Sequence, residues 1–297
     1  MKMSSLSKST IMMNCLVALS TMSINFQHPL YDEGFHLDMI EPRFILLPNS
    51  QGSSERKVAP DIQINKNNEY LLFFECKDGW ATEDQLERYN LFTIDDIKRS
   101  RTTDLALDSF TFDLSYMGTG ESEEKLIQSL GDSIAKFPTI IFNATQETIK
   151  IRFAKSSCKF RADKLNEIFQ NLEISEACPT SFIPFTVDDK DDIILASILQ
   201  YFTSRAGYEF TPYELLNQIF PYIGYYSQES RRDLIGRIDG LLKSMTKNEK
   251  LKEFLTFTNS KYKLDIDNKI RKFQRVCRKL IESYEKSSNQ PRLKKYI

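Results

Sequence analysis

Histidine is almost missing from this chain: His28 and His36 are the only two among 297 residues. That scarcity argues against a site built on clustered imidazoles, and each of the two reads more simply as a hydrogen-bonded structural side chain. The five cysteines, Cys15, Cys76, Cys158, Cys178 and Cys277, are odd in number, scattered, and include no CxxC pair. Such a set suits neither a disulfide framework nor a zinc site, and a reducing cytoplasm is the simplest compartment for it. Long apolar runs are also lacking, since no segment reaches the roughly 18 residues that span a membrane. The stretch Ile11–Leu19, with Lys2 and Lys8 before it, loosely resembles a secretory leader. It is short and interrupted by Asn14, and its apolar residues suit one face of a buried first helix. No internal repeat or low-complexity tract is present. With His and Cys set aside, the chemistry falls to carboxylates, Lys, Arg and Tyr.

What the sequence does hold is ordinary globular material, with 41% hydrophobic and 27% charged residues, and with 21 Phe and 13 Tyr to fill a substantial core. The length allows two domains. A net charge of −1 conceals an asymmetry. Residues 192–297 carry 20 Lys and Arg against 12 Asp and Glu, whereas residues 1–191 carry 20 against 29. A basic C-terminal third suggests a polyanionic partner, nucleic acid first, although exposed helix faces also collect Lys and Arg.

Periodicity organises the rest. Residues 11–27 read as a helix and Phe44-Ile-Leu-Leu47 as a short strand. Asp61–Ile64 and the apolar Tyr70–Cys76 flank a turn signal at Asn67-Asn68, so 61–77 reads as a β-hairpin. Thr82, with Gln85 three residues on, is the signature of a capping box before a helix over about 83–92. Phe110–Tyr116 alternates as a strand, Glu121–Lys136 reads as a helix, Thr139–Phe142 and Thr148–Phe153 read as strands, and Ala162–Leu172 as a helix. This is an α/β domain with helices over a sheet. Pro179, Pro184 and the acidic run Asp188–Asp192 mark a hinge, placed at 181–191. Helices are expected next at 193–204, 212–220 and 228–245, then a hairpin over 254–264 and a basic helix over about 267–286. Three helices and a hairpin give the order of a winged helix, with 287–297 as a flexible tail.

One segment carries chemistry. Pro60-Asp61 opens one strand of the hairpin and Glu75-Cys76-Lys77 closes the other. Two carboxylates at neighbouring strand positions suit one hard cation, and the Cys76 carbonyl offers a further oxygen. Glu75 and Lys77 are two apart on a strand and so share a face. A phosphodiester calls for such a set: a cation to acidify water, and a lysine to position that water and offset developing charge. The pattern Ala59-Pro-Asp61 with Phe73-Phe-Glu-Cys-Lys77 resembles the PD-(D/E)xK nuclease superfamily, which includes restriction enzymes and RecB-like nucleases. Gln85-Leu-Glu-Arg-Tyr89 matches the QxxxY element that comes after the ExK strand in RecB-like members. The resemblance covers about residues 44–95, with the general fold to about 175, and implies a restriction-endonuclease-like mixed sheet flanked by helices. It implies Mg²⁺ or Mn²⁺ as cofactor, Asp61, Glu75 and Lys77 as the centre, and Gln85 and Tyr89 as residues orienting it. Many members add an acid from the first helix. That helix has none here, and Glu33 and Glu41 are the nearest candidates.

The expected architecture is a nuclease domain over 1–180 and a mostly α, winged-helix-like domain over 192–286. Arg231, Arg232 and Arg237 on its third helix and Lys261 and Lys263 in its wing are the residues expected on DNA. A helical module that docks protein is the competing reading. The function implied is a DNA endonuclease of a prokaryotic defence or mobile-element system. A transposon end-cleaving subunit working with a transposase, and a non-catalytic adaptor that keeps the fold, are the alternatives. One centre cuts one strand, so a double-strand break implies a homodimer, a partner protein or sequential nicking.

Overall fold

The computed structural model describes residues 6–23, 25–46, 56–100, 110–204, 207–266 and 269–289. The first helix, α1 (Lys8–Ser20), begins where the Ser7 hydroxyl accepts the Thr10 N–H at 3.1 Å. Every residue from Thr10 to Ser20 is buried, so α1 is enclosed on all sides rather than on the single face its pattern suggested. Asn14 is tolerated there because it bonds the Thr10 carbonyl at 2.8 Å and accepts the Phe182 N–H at 3.0 Å. After a short helix α2 (Pro29–Asp32) come β1 (His36–Ile40) and a two-stranded ribbon of β2 (Phe44–Ile45) and β3 (Lys57–Val58). Next are the expected hairpin strands β4 (Ile62–Lys66) and β5 (Tyr70–Lys77). Asn67 and Asn68 both take positive φ, 53° and 59°, at the centre of a tight turn closed by the Glu69 N–H on the Lys66 carbonyl at 2.9 Å, and Glu69 completes a three-residue loop.

Helices α3 (Glu83–Asn90) and α4 (Ile94–Ser100) lead to β6 (Thr111–Thr119), which lies parallel to β5. Helix α5 (Glu123–Leu130), strands β7 (Thr139–Ala144) and β8 (Ile149–Phe153), helix α6 (Asp163–Gln170) and the short β9 (Leu172–Ile174) complete this unit. The helix expected over 121–136 is broken: Gly131 takes φ 49° after α5 and a 3₁₀ segment takes over. The seven strands run β1-β4-β5-β6-β7-β8-β9, parallel at β5–β6 and β6–β7 and antiparallel elsewhere. The result is a mixed α/β sheet. Leu71 and Phe73 of β5 face an aromatic-rich core under α3, α4 and α5, built with Phe44, Tyr89, Phe92, Tyr116 and Leu126. Strand residues of the opposite parity, such as Phe74, pack toward Phe160 and Phe169.

Chain contacts divide into two units, one of Ser7–Phe182 with Gly224–Ser230, the other of the described residues in Ile183–Ile223 and Arg231–Ile297. The second contains α7 (Asp191–Thr203), β10 (Tyr208–Phe210), α8 (Pro212–Ile219), most of α9 (Gln228–Lys247), β11 (Leu255–Thr258), β12 (Lys261–Leu264) and α10 (Ile270–Asn289). Its three strands run β10-β12-β11, and β10 adds a strand that the sequence pattern did not announce. A full capping box at Thr211 and Glu214 starts α8. The segment expected as a hinge is packed instead: Ile183 and Phe185 are fully buried, Phe185 meets Phe220 edge to face at 4.7 Å, and Asp189 accepts the Thr186 N–H at 2.7 Å. The expected tail begins later too, since α10 runs on through Ser287 and Ser288 to Asn289, and residues 290–297 lie outside the described residues. Among the described residues no helix is long and apolar enough to cross a membrane.

Two glycines separate tight packing from loose packing. A Cβ on Gly118 would meet Leu126 Cδ2, in the core, at 2.5 Å, whereas one on Gly120 would meet the side chain of the exposed Asn143 at 2.1 Å. Gly118→Ala is therefore expected to cost about 1–3 kcal/mol by overpacking. Gly120→Ala is expected to cost under about 0.5 kcal/mol, because the amide can swing into water. Urea denaturation of both variants beside the parent checks the contrast.

Candidate active site

The hairpin register builds the site. Ile62 lies opposite Phe74, and the Asp61 N–H bonds the Phe74 carbonyl at 2.9 Å, so Asp61 stands across from Glu75 just beyond the end of β4. One Asp61 oxygen accepts the Cys76 main-chain N–H at 2.6 Å. Two residues along β5, the Lys77 ammonium reaches Glu75 Oε1 at 2.7 Å. Glu75 is only 5% exposed, so this is a buried ion pair and not a surface salt bridge. Its other oxygen takes the hydroxyl of Tyr89. Thus Asp61, Glu75, Lys77 and Tyr89 come together, three from the hairpin and one from α3.

Helix α3 starts at Thr82, whose hydroxyl accepts the Gln85 N–H at 3.3 Å. Only this half of the expected capping box forms. The Gln85 side chain turns inward with Tyr89, and among the described residues its buried Oε1 has no hydrogen-bond partner. Strand β6 adds a residue that the sequence reading missed. Tyr116 lies beside Glu75 in the parallel register, is fully buried, and has no partner for its hydroxyl among the described residues. No signal in a single sequence fixes that β5–β6 register, so Tyr116 read only as one alternating strand residue.

The electrostatics are those of two acids crowded together. Burial, reinforced by the charge of Glu75, raises the Asp61 carboxyl well above its usual range, and the Cys76 N–H and Lys77 only partly offset this. Glu41 contributes to the same rise, which puts it in the field of the site. Its backbone is pinned there with φ 50°, donating to the Asp61 carbonyl at 2.8 Å and accepting the Ser230 hydroxyl at 3.2 Å. Burial first, then Glu75, keeps the Tyr89 and Tyr116 phenols protonated, and burial raises the Cys76 thiol. Protonated phenols can donate to Glu75 and cannot compete with it as anions.

The other candidates lie elsewhere. Glu33 is exposed and interacts electrostatically with Lys164. His28 bonds Asp32 at 2.9 Å, and His36 meets the Tyr31 ring edge to face at 4.5 Å, both in structural roles. In the second unit Lys261 and Lys263 share an exposed face of β12, while Tyr262 and Leu264 between and beyond them are buried. Arg232 is exposed and Arg231 half-buried. Arg237 is committed within its own unit, to the Asp189 carbonyl and to the Asp191 carboxylate at 3.0 Å. Among the described residues no group of three or more His, Cys, Asp or Glu side chains gathers as a metal site. The donors present are two carboxylates with a main-chain carbonyl beside them.

A family model, described as the MJECL32 domain, matches residues 8–183. The chain belongs to the MJECL32 domain family. The match spans the long stretch of the first unit and contains Asp61, Glu75, Lys77, Gln85, Tyr89 and Tyr116. Among curated proteins and solved structures nothing matches.

Asp61 sets a pH dependence. Its folded-state pKa is raised, so the folded chain holds the proton more tightly than the unfolded chain does. Its ionisation therefore works against folding as pH climbs above the ordinary value of 3.8. Asp61→Asn keeps an oxygen for the Cys76 N–H and removes the charge. The variant is expected to be more stable near neutral pH by roughly 0.5–2 kcal/mol, as when a strained functional acid is replaced. The gain should fade as pH falls toward 3.8. Equal stability at neutral pH, read from denaturant midpoints, would show that the acid pair is not under strain.

Proposed function

We propose that the chain is a divalent-cation-dependent nuclease of the PD-(D/E)xK type, hydrolysing phosphodiester bonds in DNA. The observation that carries this is the convergence of Asp61, Glu75 and Lys77, with Tyr89 of the QxxxY element bonded directly to Glu75. A chance D…ExK triple has no reason to gather its three members or to recruit a tyrosine from the next helix. The mixed sheet with helices over it is the class of architecture the resemblance implies.

The donor set fits a hard cation. Asp61 and Glu75 offer only oxygen, burial first and the charge of Glu75 second raise Asp61, and a positive charge between them would offset both. Bound Mg²⁺ or Mn²⁺ would supply a water of lowered pKa and neutralise charge on the phosphate. Glu75 would be oriented by the Tyr89 hydroxyl. Lys77, sharing its face, would hold the attacking water by hydrogen bonding and meet the negative charge that gathers on the phosphoryl oxygens. Glu41 is the better placed of the two extra-acid candidates, because its charge is felt at Asp61.

For the second unit the proposal is a winged-helix-like DNA-binding module. In support, its order is helix, strand, two helices and a hairpin, with the last strand central in the sheet. Lys261 and Lys263 stand out from that hairpin, exposed where phosphates could meet them.

Cleavage of supercoiled plasmid, linear duplex and single strands with Mg²⁺ or Mn²⁺ tests the proposal. Asp61→Ala and Lys77→Ala should each lower the rate by about 10²-fold or more. Variants that cut as fast as the parent would overturn the assignment, and a parent inert on every nucleic acid would favour the adaptor reading. For the second unit, Lys261→Glu with Lys263→Glu should weaken DNA binding and flatten its salt dependence, by a log–log slope of about 2 for two lost phosphate contacts. Arg237→Ala should instead lower stability with little change in affinity, since its guanidinium holds Asp189 and Asp191. Fluorescence anisotropy over a salt series separates the two.

A further inference from the structure

The only tryptophan of the chain, Trp80, lies three residues beyond Lys77 and is 55% exposed. An exposed indole on a held loop beside the ExK strand is a surface suited to stacking. Trp80 makes no hydrogen bond, ion pair or ring contact among the described residues. The loop that carries it is nevertheless fastened on both sides. Asp78 pairs with Lys8 at 3.3 Å, and the Ala81 N–H bonds the Ser129 hydroxyl at 2.9 Å, just before α3 is capped at Thr82. Between these anchors Gly79 takes φ 128°, which L side chains rarely adopt, and Trp80 beside it stands in solvent.

We infer that Trp80 is a stacking platform for an unpaired nucleobase of the substrate strand, so that the site prefers single-stranded or frayed nucleic acid to closed duplex. The inference rests on the nuclease reading and names the substrate class of that same centre. Three residues of chain separate the two Cα atoms by at most about 10 Å, so the indole, with the two side-chain lengths added, lies within a few nucleotides of a phosphate held beside Lys77. An aromatic face accepts any base, because every base has a π-face, and a ring held out on an anchored loop stacks without first being ordered. A base inside a closed duplex has both faces already stacked and offers none.

Having one tryptophan makes the test direct. The full chain is titrated with oligo-dT of about 20 nucleotides, and separately with a blunt duplex, in Ca²⁺ instead of Mg²⁺, with tryptophan emission and the anisotropy of labelled oligonucleotide as readouts. Quenching by oligo-dT is expected, with little change on adding duplex. Trp80→Ala should weaken oligo-dT binding about 10-fold, and Trp80→Phe, which keeps a ring face, should retain most of it. Circular dichroism of both variants should match the parent, because the side chain is outside the core. Oligo-dT binding with silent emission and an unaffected Trp80→Ala would overturn this inference and leave the nuclease reading standing. Quenching as strong with duplex would overturn the preference for unpaired bases. Absence of any nucleic-acid binding would overturn both readings together.

Discussion

A slip of one residue between β4 and β5 would carry Asp61 to the opposite face of the sheet from Glu75, because side chains alternate along a strand. The turn at Asn67-Asn68 prevents it. Both residues hold positive φ, which asparagine tolerates better than other residues with a Cβ, and the resulting three-residue loop, Asn67 to Glu69, fixes every pair from Lys66–Tyr70 to Ile62–Phe74. The burial pattern adds a second lock. Tyr70 to Cys76 of β5 are all buried, so a shifted register would drive Glu75 into the apolar surroundings now filled by Phe74. The placement of the acids is thus a consequence of hairpin geometry backed by the core on both faces of the strand.

With the register fixed, the site is assembled against an electrostatic gradient. Two carboxylates meet at the end of a buried strand, and the surrounding protein compensates unequally. Glu75 receives Lys77 and Tyr89, whereas Asp61 receives one main-chain N–H and is left with its proton held tightly. Tyr116 and Gln85 add buried polar atoms that find no partner among the described residues, although buried polar groups are ordinarily bonded. The same crowding predicts that function and stability pull in opposite directions here.

Much of this was legible in the sequence because it is local. The hairpin, the N-cap at Thr82, the spacing of Gln85 and Tyr89, and the shared face of Glu75 and Lys77 are all set by neighbours within about twenty residues. What was not legible depends on contacts between distant segments. Tyr116 reaches Glu75 through a parallel pairing whose crossover contains two helices, and no local pattern sets that register. The full burial of α1 was hidden because Asn14 reads as polar, while its partner, the Phe182 N–H, is supplied from 168 residues away. Short strands such as β9 and β10, three residues each, lack the length for a period-two pattern to show. The half-formed capping box failed for a different reason. Thr82 and Gln85 carry the right letters, but the core drew the Gln85 side chain inward, and tertiary packing prevailed over local capping.

At the level of the site, the family-matched region does not stand apart from the rest of the chain. Residues 8–183 carry the hairpin, α3 and β6, and so nearly all of the chemistry. Yet the segment Gly224–Ser230 belongs to the same unit. Tyr226 bridges Ile40 at the end of β1, the Ser227 N–H bonds the Ile40 carbonyl at 3.1 Å, and the Ser230 hydroxyl reaches the Glu41 carbonyl. These contacts hold a residue near Asp61 that has both a carboxylate and a positive φ. Together with the Glu41 N–H bond to the Asp61 carbonyl, they offset a backbone conformation that costs of order 1 kcal/mol or more outside glycine. The start of α9 therefore helps to position Glu41, and the chain beyond the family match contributes to the surroundings of Asp61.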